Sequence, residues 1–195
     1  MSNKIIAPGV EWAHLLEQAQ TLVPEAFNHE GHPLNLIGGE WCCPGHPKLF
    51  LSPVDGTALG YYPMIDLDTA RQAAAASAAE FGAWSTTELS ERQQRVDACV
   101  RLLRQHRELI GRLLMWEIGK PYAQAMTDVD RCISGVEWYV EQIPSMLEGR
   151  TPLGLISNIA SWNYPLSVLV HAMLVQTLAG NPVIAKTPSD GGLLH

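Results

Sequence analysis

Asn163 and Lys186 stand where a chain often places ligand-binding groups. Asn163 precedes Tyr164-Pro165 at a strand-to-helix junction, and Lys186 closes the apolar run Val183-Ile184-Ala185. Residue chemistry alone gives an amide, a helix N-terminus and a cation at two neighbouring strand ends. That edge is where α/β sheets take nucleotides and related ligands. Plainer readings stand beside this one. Asn163 is also a good helix N-cap. Trp162 is a core aromatic, Lys186 a solvated charge, and Ser189-Asp190-Gly191-Gly192 a turn. The glycine pattern of the ordinary dinucleotide fingerprint is absent. His29, Glu30 and His32 share one short loop and read as solvent-exposed, so no metal site is expected. Cys42-Cys43 reads as two ordinary thiols, because a vicinal disulfide is strained and no base is nearby. Cys99 and Cys132 fall in helical stretches and read as packed.

The elements that must position these residues follow from periodicity and punctuation. Residues 10–23 form a short amphipathic helix ended by Pro24. Two strand-like pieces, 34–41 and 48–51, a turn at Pro53-Val54-Asp55-Gly56 and a strand at 59–63 make a small antiparallel region over 1–65. Residues 66–148 are helical. Asp66 or Asp68 caps an alanine-rich helix reaching Gly82. Ser90 and Gln93 make a capping box for one long helix whose stripe runs from Val96 to Ile118 and stops at Gly119. Pro121 restarts a helix, with Val129, Ile133, Val136, Val140 and Ile143 on its buried face and Pro144 at its end. Residues 151–195 turn to α/β: a strand at 155–159, a helix at 165–179 stopped by Gly180, and a strand at 182–185. A right-handed crossover makes these strands parallel. The fold class is therefore α/β, with N-terminal helices and hairpin strands leading into the start of a Rossmann-like, doubly wound sheet that is left incomplete.

Composition bounds the function. The 195 residues are 47% apolar and 17% charged, enough for a real core. A net charge of −7 offers no basic footprint for nucleic acid. The N-terminus lacks the apolar stretch of a signal peptide. The longest apolar run, 166–178, carries His171 and Gln176 and is shorter than the roughly 20 residues of a membrane span. The four cysteines show neither metal-ligand spacing nor a disulfide framework, so a cytoplasmic, reducing compartment is the default.

Taken in order, several motifs resemble the aldehyde dehydrogenase superfamily. Ser161-Trp162-Asn163-Tyr164-Pro165 is similar to the motif after that family's first cofactor-domain strand. Ala179-Gly180-Asn181-Pro182-Val183-Ile184-Ala185-Lys186 is similar to the motif of the second. Upstream, Ile37-Gly38-Gly39-Glu40-Trp41, Ser52-Pro53-Val54-Asp55-Gly56, the stretch 74–84, Glu91-Arg92 and Glu117-Ile118-Gly119-Lys120-Pro121 resemble the family's N-terminal region in the same order. The resemblance covers residues 34–190. It implies that Asn163 is the oxyanion-hole asparagine, donating to the oxygen of a covalent intermediate. It implies that Ile159, Ala160, Ser161 and Trp162 line the nicotinamide half of NAD(P), and that Lys186 holds the adenosine ribose. Ser189 takes the place of a frequent glutamate, which favours NADP over NAD, while Asp190 offers a carboxylate next door. A small aldehyde is the implied substrate.

Departures from the family pattern carry equal weight. The family's nucleophilic cysteine, general-base glutamate and later glycine-rich turn would fall beyond residue 195, and none of the four cysteines stands in the nucleophile's motif. Between Met146 and Gly154 only a few residues replace the hairpin that most members use in oligomers, so the oligomeric state stays open. Two readings result: a truncated NAD(P)-dependent aldehyde dehydrogenase, inactive as this chain alone, or a non-catalytic remnant acting as an interaction module. The apolar faces of 166–178 and 183–185 are expected to be left exposed.

Overall fold

In the computed structural model, residues 9–188 are described. Helix α1 (Trp12–Leu22) and a 3₁₀ turn (Pro24–Ala26) open the chain. The expected single strand at 34–41 is instead a hairpin, β1 (Asn35–Ile37) against β2 (Glu40–Cys42). Gly38 and Gly39 form its two-residue turn with φ of 61° and 85°, the backbone such a hairpin needs and side chains resist. A second hairpin pairs β3 (His46–Leu51) with β4 (Ala58–Met64). The Ser52-to-Gly56 turn joins its strands through Ser52 N–H to Thr57 O at 2.8 Å.

The helical region follows the hydrophobic stripes but not every expected boundary. Helix α2 (Leu67–Ala79) is capped by Asp66, which accepts from the Thr69 N–H at 2.8 Å. It stops before Gly82, and α3 (Phe81–Thr86) follows. The long helix expected from Ser90 to Gly119 is two helices, α4 (Leu89–Gln105) and α5 (Arg107–Ile118), broken at His106. No glycine or proline marks this break in the sequence. It lets α5 serve two cores. Leu114 and Ile118 join Val96, Val100, Val129 and Val136 in one cluster, while Leu113 and Trp116 pack with Trp12, Leu15, Phe50, Leu59 and Tyr62 in the other.

The expected capping box is not formed, because the N-cap is Glu88 and makes no side-chain bond. Gln93 works elsewhere. Helix α6 (Tyr122–Met146) carries Pro144 inside it rather than ending there. A proline cannot donate to the carbonyl four residues back, here Val140. The Gln93 side chain donates to that oxygen at 2.7 Å instead. A side chain on α4 thus replaces the backbone donor that Pro144 lacks on α6.

The α/β segment forms as expected, with one change. Strand β5 (Ile156–Ile159) pairs in parallel with β6 (Val183–Lys186). The connecting helix begins as a six-residue π-helical run (Pro165–Val170) before α7 (His171–Leu178). Leu166 and Leu178 lie in the cluster formed by α4, α5 and α6, so this helix covers its core-facing apolar residues. Of the two runs expected to be exposed, only Val168 in 166–178 is, and Val183, Ile184 and Ala185 are half-buried; the other exposed apolar side chains of this segment, Leu153, Leu155, Ile159, Trp162 and Tyr164, lie before the helix. The C-terminus of α7 is held from three sides. Trp84 Nε1 donates to Thr177 O at 2.8 Å, Arg92 Nε donates to Leu178 O at 3.0 Å, and Asn181 Nδ2 donates to Gln176 O at 3.2 Å. Among the described residues no strand lies between α6 and β5, and no helix is long and apolar enough to cross a membrane.

Candidate functional site

The β5–β6 register decides what shares an edge. Ile159 lies opposite Lys186, and the Ala160 N–H donates to Lys186 O at 3.0 Å. Ile159, Ala160 and Lys186 therefore meet at the C-terminal end of the parallel pair. Buried Asn181 sets this alignment from the other end: its Oδ1 accepts from Leu153 N–H at 2.7 Å and Gly154 N–H at 3.2 Å. Asn158 on β5 and Gln176 on α7 exchange side-chain amide bonds of 2.7 and 3.2 Å, tying the strand to its covering helix.

Past Ala160 the chain turns through Ser161, Trp162 and Asn163 into Tyr164. Ile159 and Trp162 are 77% and 53% exposed. Trp162 is thus not the core aromatic that residue chemistry gives as its plain reading. Asn163 is half-buried and does not cap the helix. The capping position is Tyr164, which makes no side-chain bond. Asp128 on α6 does that work from outside: its Oδ1 accepts from the Ser167 N–H at 3.1 Å and also from the Ser167 hydroxyl. Its other oxygen lies 3.2 Å from Lys120 Nζ, which sits 4.2 Å from the Tyr164 ring centroid.

Asp128 was not a candidate from the sequence, although one signal was present. It stands on the buried face of α6 among Ala125, Val129, Cys132 and Val136, where a carboxylate needs a partner. Lys120 lies in a motif quoted above, with no role given to it. Ser189 falls outside the described residues.

None of the four thiols lies on β5, β6 or the residues between them. Cys42 lies on β2 and exposed Cys43 follows it. Cys99 on α4 is exposed rather than packed. Cys132 is buried, and burial pushes its thiol up to about 12. In the His29–His32 loop, His29 and Glu30 are largely exposed and His32 lies edge-on against Tyr61.

Chemically, the edge offers an exposed apolar platform (Ile159, Trp162), a carboxamide (Asn163) and a cation (Lys186) on adjacent strand ends. Fold and edge together define an α/β protein whose parallel strand pair carries these groups at its C-terminal end, the end where open α/β sheets as a class take their ligands.

The particular family follows from comparison. The aldehyde dehydrogenase family matches residues 47–194, and the chain belongs to that family. A non-phosphorylating aspartate-semialdehyde dehydrogenase of Halomonas elongata is 30% identical over 77% of this chain and 34% of its own length. A succinate semialdehyde dehydrogenase [NAD(P)+] of Escherichia coli is 28% identical over 73% of this chain and 34% of its own. Among solved structures, a Thermus 1-pyrroline-5-carboxylate dehydrogenase with bound NAD superposes with a TM-score of 0.78, at 24% identity, over 97% of this chain and 40% of its own. The chain thus spans about a third of the length of the curated relatives it matches.

Proposed function

We propose that the protein takes part in NAD(P)-dependent oxidation of a small aldehyde, and that this chain supplies the cofactor edge and the oxyanion donor. The observation that carries the proposal is the pairing of Ile159 with Lys186, which brings two separately recognised motifs onto one edge. Ile159, Ala160, Ser161 and Trp162 would hold the nicotinamide half, and Lys186 the ribose. Exposed apolar surface beside a cation suits a ligand with a flat ring and sugar hydroxyls. The cofactor, when bound, supplies the hydride acceptor. Ser189 favours NADP over NAD.

The Asn163 side-chain amide would donate to the aldehyde-derived oxygen. Such a preorganised donor is typically worth about 3 kcal/mol of barrier. Curated relatives named for aspartate, succinate and malonate semialdehydes make short semialdehydes the first substrates to try. The covalent step implied by the family resemblance needs a thiolate, and no cysteine lies on β5, β6 or the residues between them. The 195-residue chain alone should therefore turn nothing over, and with only two strands in its described parallel sheet it should bind cofactor weakly.

Saturation-transfer NMR with NADP and NAD tests the binding claim. Transfer to nicotinamide protons that weakens in Ile159→Asp, and to ribose protons that weakens in Lys186→Ala, is expected. No transfer from either cofactor would overturn the proposal. Aldehyde-dependent NADPH formation by the pure chain would overturn the thiolate argument.

A further inference from the structure

Asn163 is useful as an oxyanion donor only if its turn is held still, and nothing in the turn's own sequence does that. The upstream anchor is the Ala160 N–H bond to Lys186 O at 3.0 Å. Downstream, we infer that the buried pair Lys120–Asp128 is the second anchor, a positioning device for the Asn163 turn supplied by α6 and the residues before it. The inference rests on the function proposed above for what Asn163 does, and on geometry alone for how it is held.

The Asp128 side chain is fully buried, and that of Lys120 is 11% exposed. Their charges are 3.2 Å apart, yet Lys120 Nζ and Asp128 Oδ2 are not aligned for a hydrogen bond with each other or with another group. Burying two charges in this way is costly, and a well-packed apolar pair often stabilises a fold as well or better. Stability is therefore a poor explanation for the pair, and its remaining contacts give a better one. Asp128 Oδ1 accepts from both the amide and the hydroxyl of Ser167, one of the otherwise unpartnered donors of a helix's first turn. Lys120 places its ammonium 4.2 Å from the Tyr164 ring centroid, within cation–π range. Both contacts land just after Asn163, at the next residue and four residues on. Only Ser161, Trp162 and Asn163 lie between the two anchors. The π-helical run starts at the same place, and such irregular turns are frequent at functional sites.

The pair thus acts through Tyr164 and Ser167 and touches no reacting atom itself. Lys120 neutralises the carboxylate that caps the helix and presses on the ring that follows Asn163. Its loss would free the turn while leaving the α4–α5–α6 core in place.

The test is NMR on the 195-residue chain. In the wild type, the Ser167 amide should be shifted downfield and protected, and the Asn163 side-chain NH₂ should be as ordered as the β5 backbone. The neutral variant Lys120→Met/Asp128→Asn leaves no unpaired buried charge and should keep the protection of α4 and α6. Exchange at Ser167 and Val168 should accelerate by about tenfold or more, as expected for loss of a hydrogen bond to a charged group, and the Asn163 NH₂ should lose order. Lys120→Arg, which keeps the cation over Tyr164, should restore both. Ser167→Ala, the mildest change, should reproduce part of the loosening.

An Asn163 side chain that stays ordered in the neutral variant would overturn the inference. So would loosening only in step with global stability, or a wild-type Ser167 amide that is neither shifted nor protected. None of these readouts uses cofactor. Failure of NAD and NADP to bind would sink the proposed function and leave this result standing, and the reverse also holds.

Discussion

Gln93 and Pro144 should be energetically coupled although they lie on different helices. Pro144 deprives Val140 O of its helical donor, and the Gln93 side chain supplies one at 2.7 Å. Gln93→Ala removes that donor and leaves a part-buried carbonyl without a partner. Stranding such a group costs about 1–3 kcal/mol, and partial exposure places this case near the lower end. Pro144→Ala restores a backbone N–H that reaches Val140 O in the ordinary helical way. In that background Gln93→Ala should cost only a few tenths of a kcal/mol, so the coupling energy should be about 1 kcal/mol. Urea unfolding of the four proteins, followed by circular dichroism and tryptophan fluorescence, measures the cycle. Unchanged m-values are required for the comparison. Additivity within about 0.3 kcal/mol would show that Gln93 does not stand in for the missing donor, and the account of why α6 tolerates its proline would fail.

Three further outcomes are expected. Gly180→Ala places a Cβ at φ 93°, 2.8 Å from the Pro152 ring and 3.4 Å from the Arg92 guanidinium. Left-handed strain plus overpacking should cost about 2–4 kcal/mol in urea unfolding, and wild-type stability would refute it. Burial holds His171 below its ordinary 6.5, so the unfolded chain takes up the proton first as pH falls. The stability tied to neutral His171 is present above pH 6.5 and is lost as pH drops below it and through the folded-state value. The melting-temperature difference between wild type and His171→Gln should therefore change between about pH 7 and pH 5; a constant difference would contradict this. With a thiol reagent at mild pH, exposed Cys43 and Cys99 should react promptly, Cys42 more slowly, and Cys132 only after unfolding. Rapid native labelling of all four thiols would count against the packing of α6.

The local signals in the sequence were those of strong chemistry. Asp66 before an alanine-rich stretch, Gly119 and Gly180 after helical stripes, and Val129 to Ile143 at helical spacing each determine their element with little outside help. Parallel pairing of β5 and β6, and hence the meeting of Ile159 with Lys186, follows from a short strand–helix–strand run. The ordered motifs were enough to identify the family.

What the sequence left open depends on partners far along the chain. The break at His106 carries no local breaker, because it is imposed by two cores that α5 must face at once. Pro144 looks like a stop until Gln93, distant in sequence, satisfies the carbonyl it strands. Asn163 looks like a helix cap until Asp128 takes that role from α6, which frees the amide and leaves Trp162 exposed beside it. Periodicity and capping are read over a turn or two of backbone. A buried charge is given its meaning only by what folding brings against it. The sequence by itself therefore determined the family, the order of helical and strand regions and the parallel β5–β6 edge, but not every element's boundary. Only the tertiary structure decided what holds Asn163 in place, since desolvating Lys120 and Asp128 together requires α6 and the turn after β5 to be already packed.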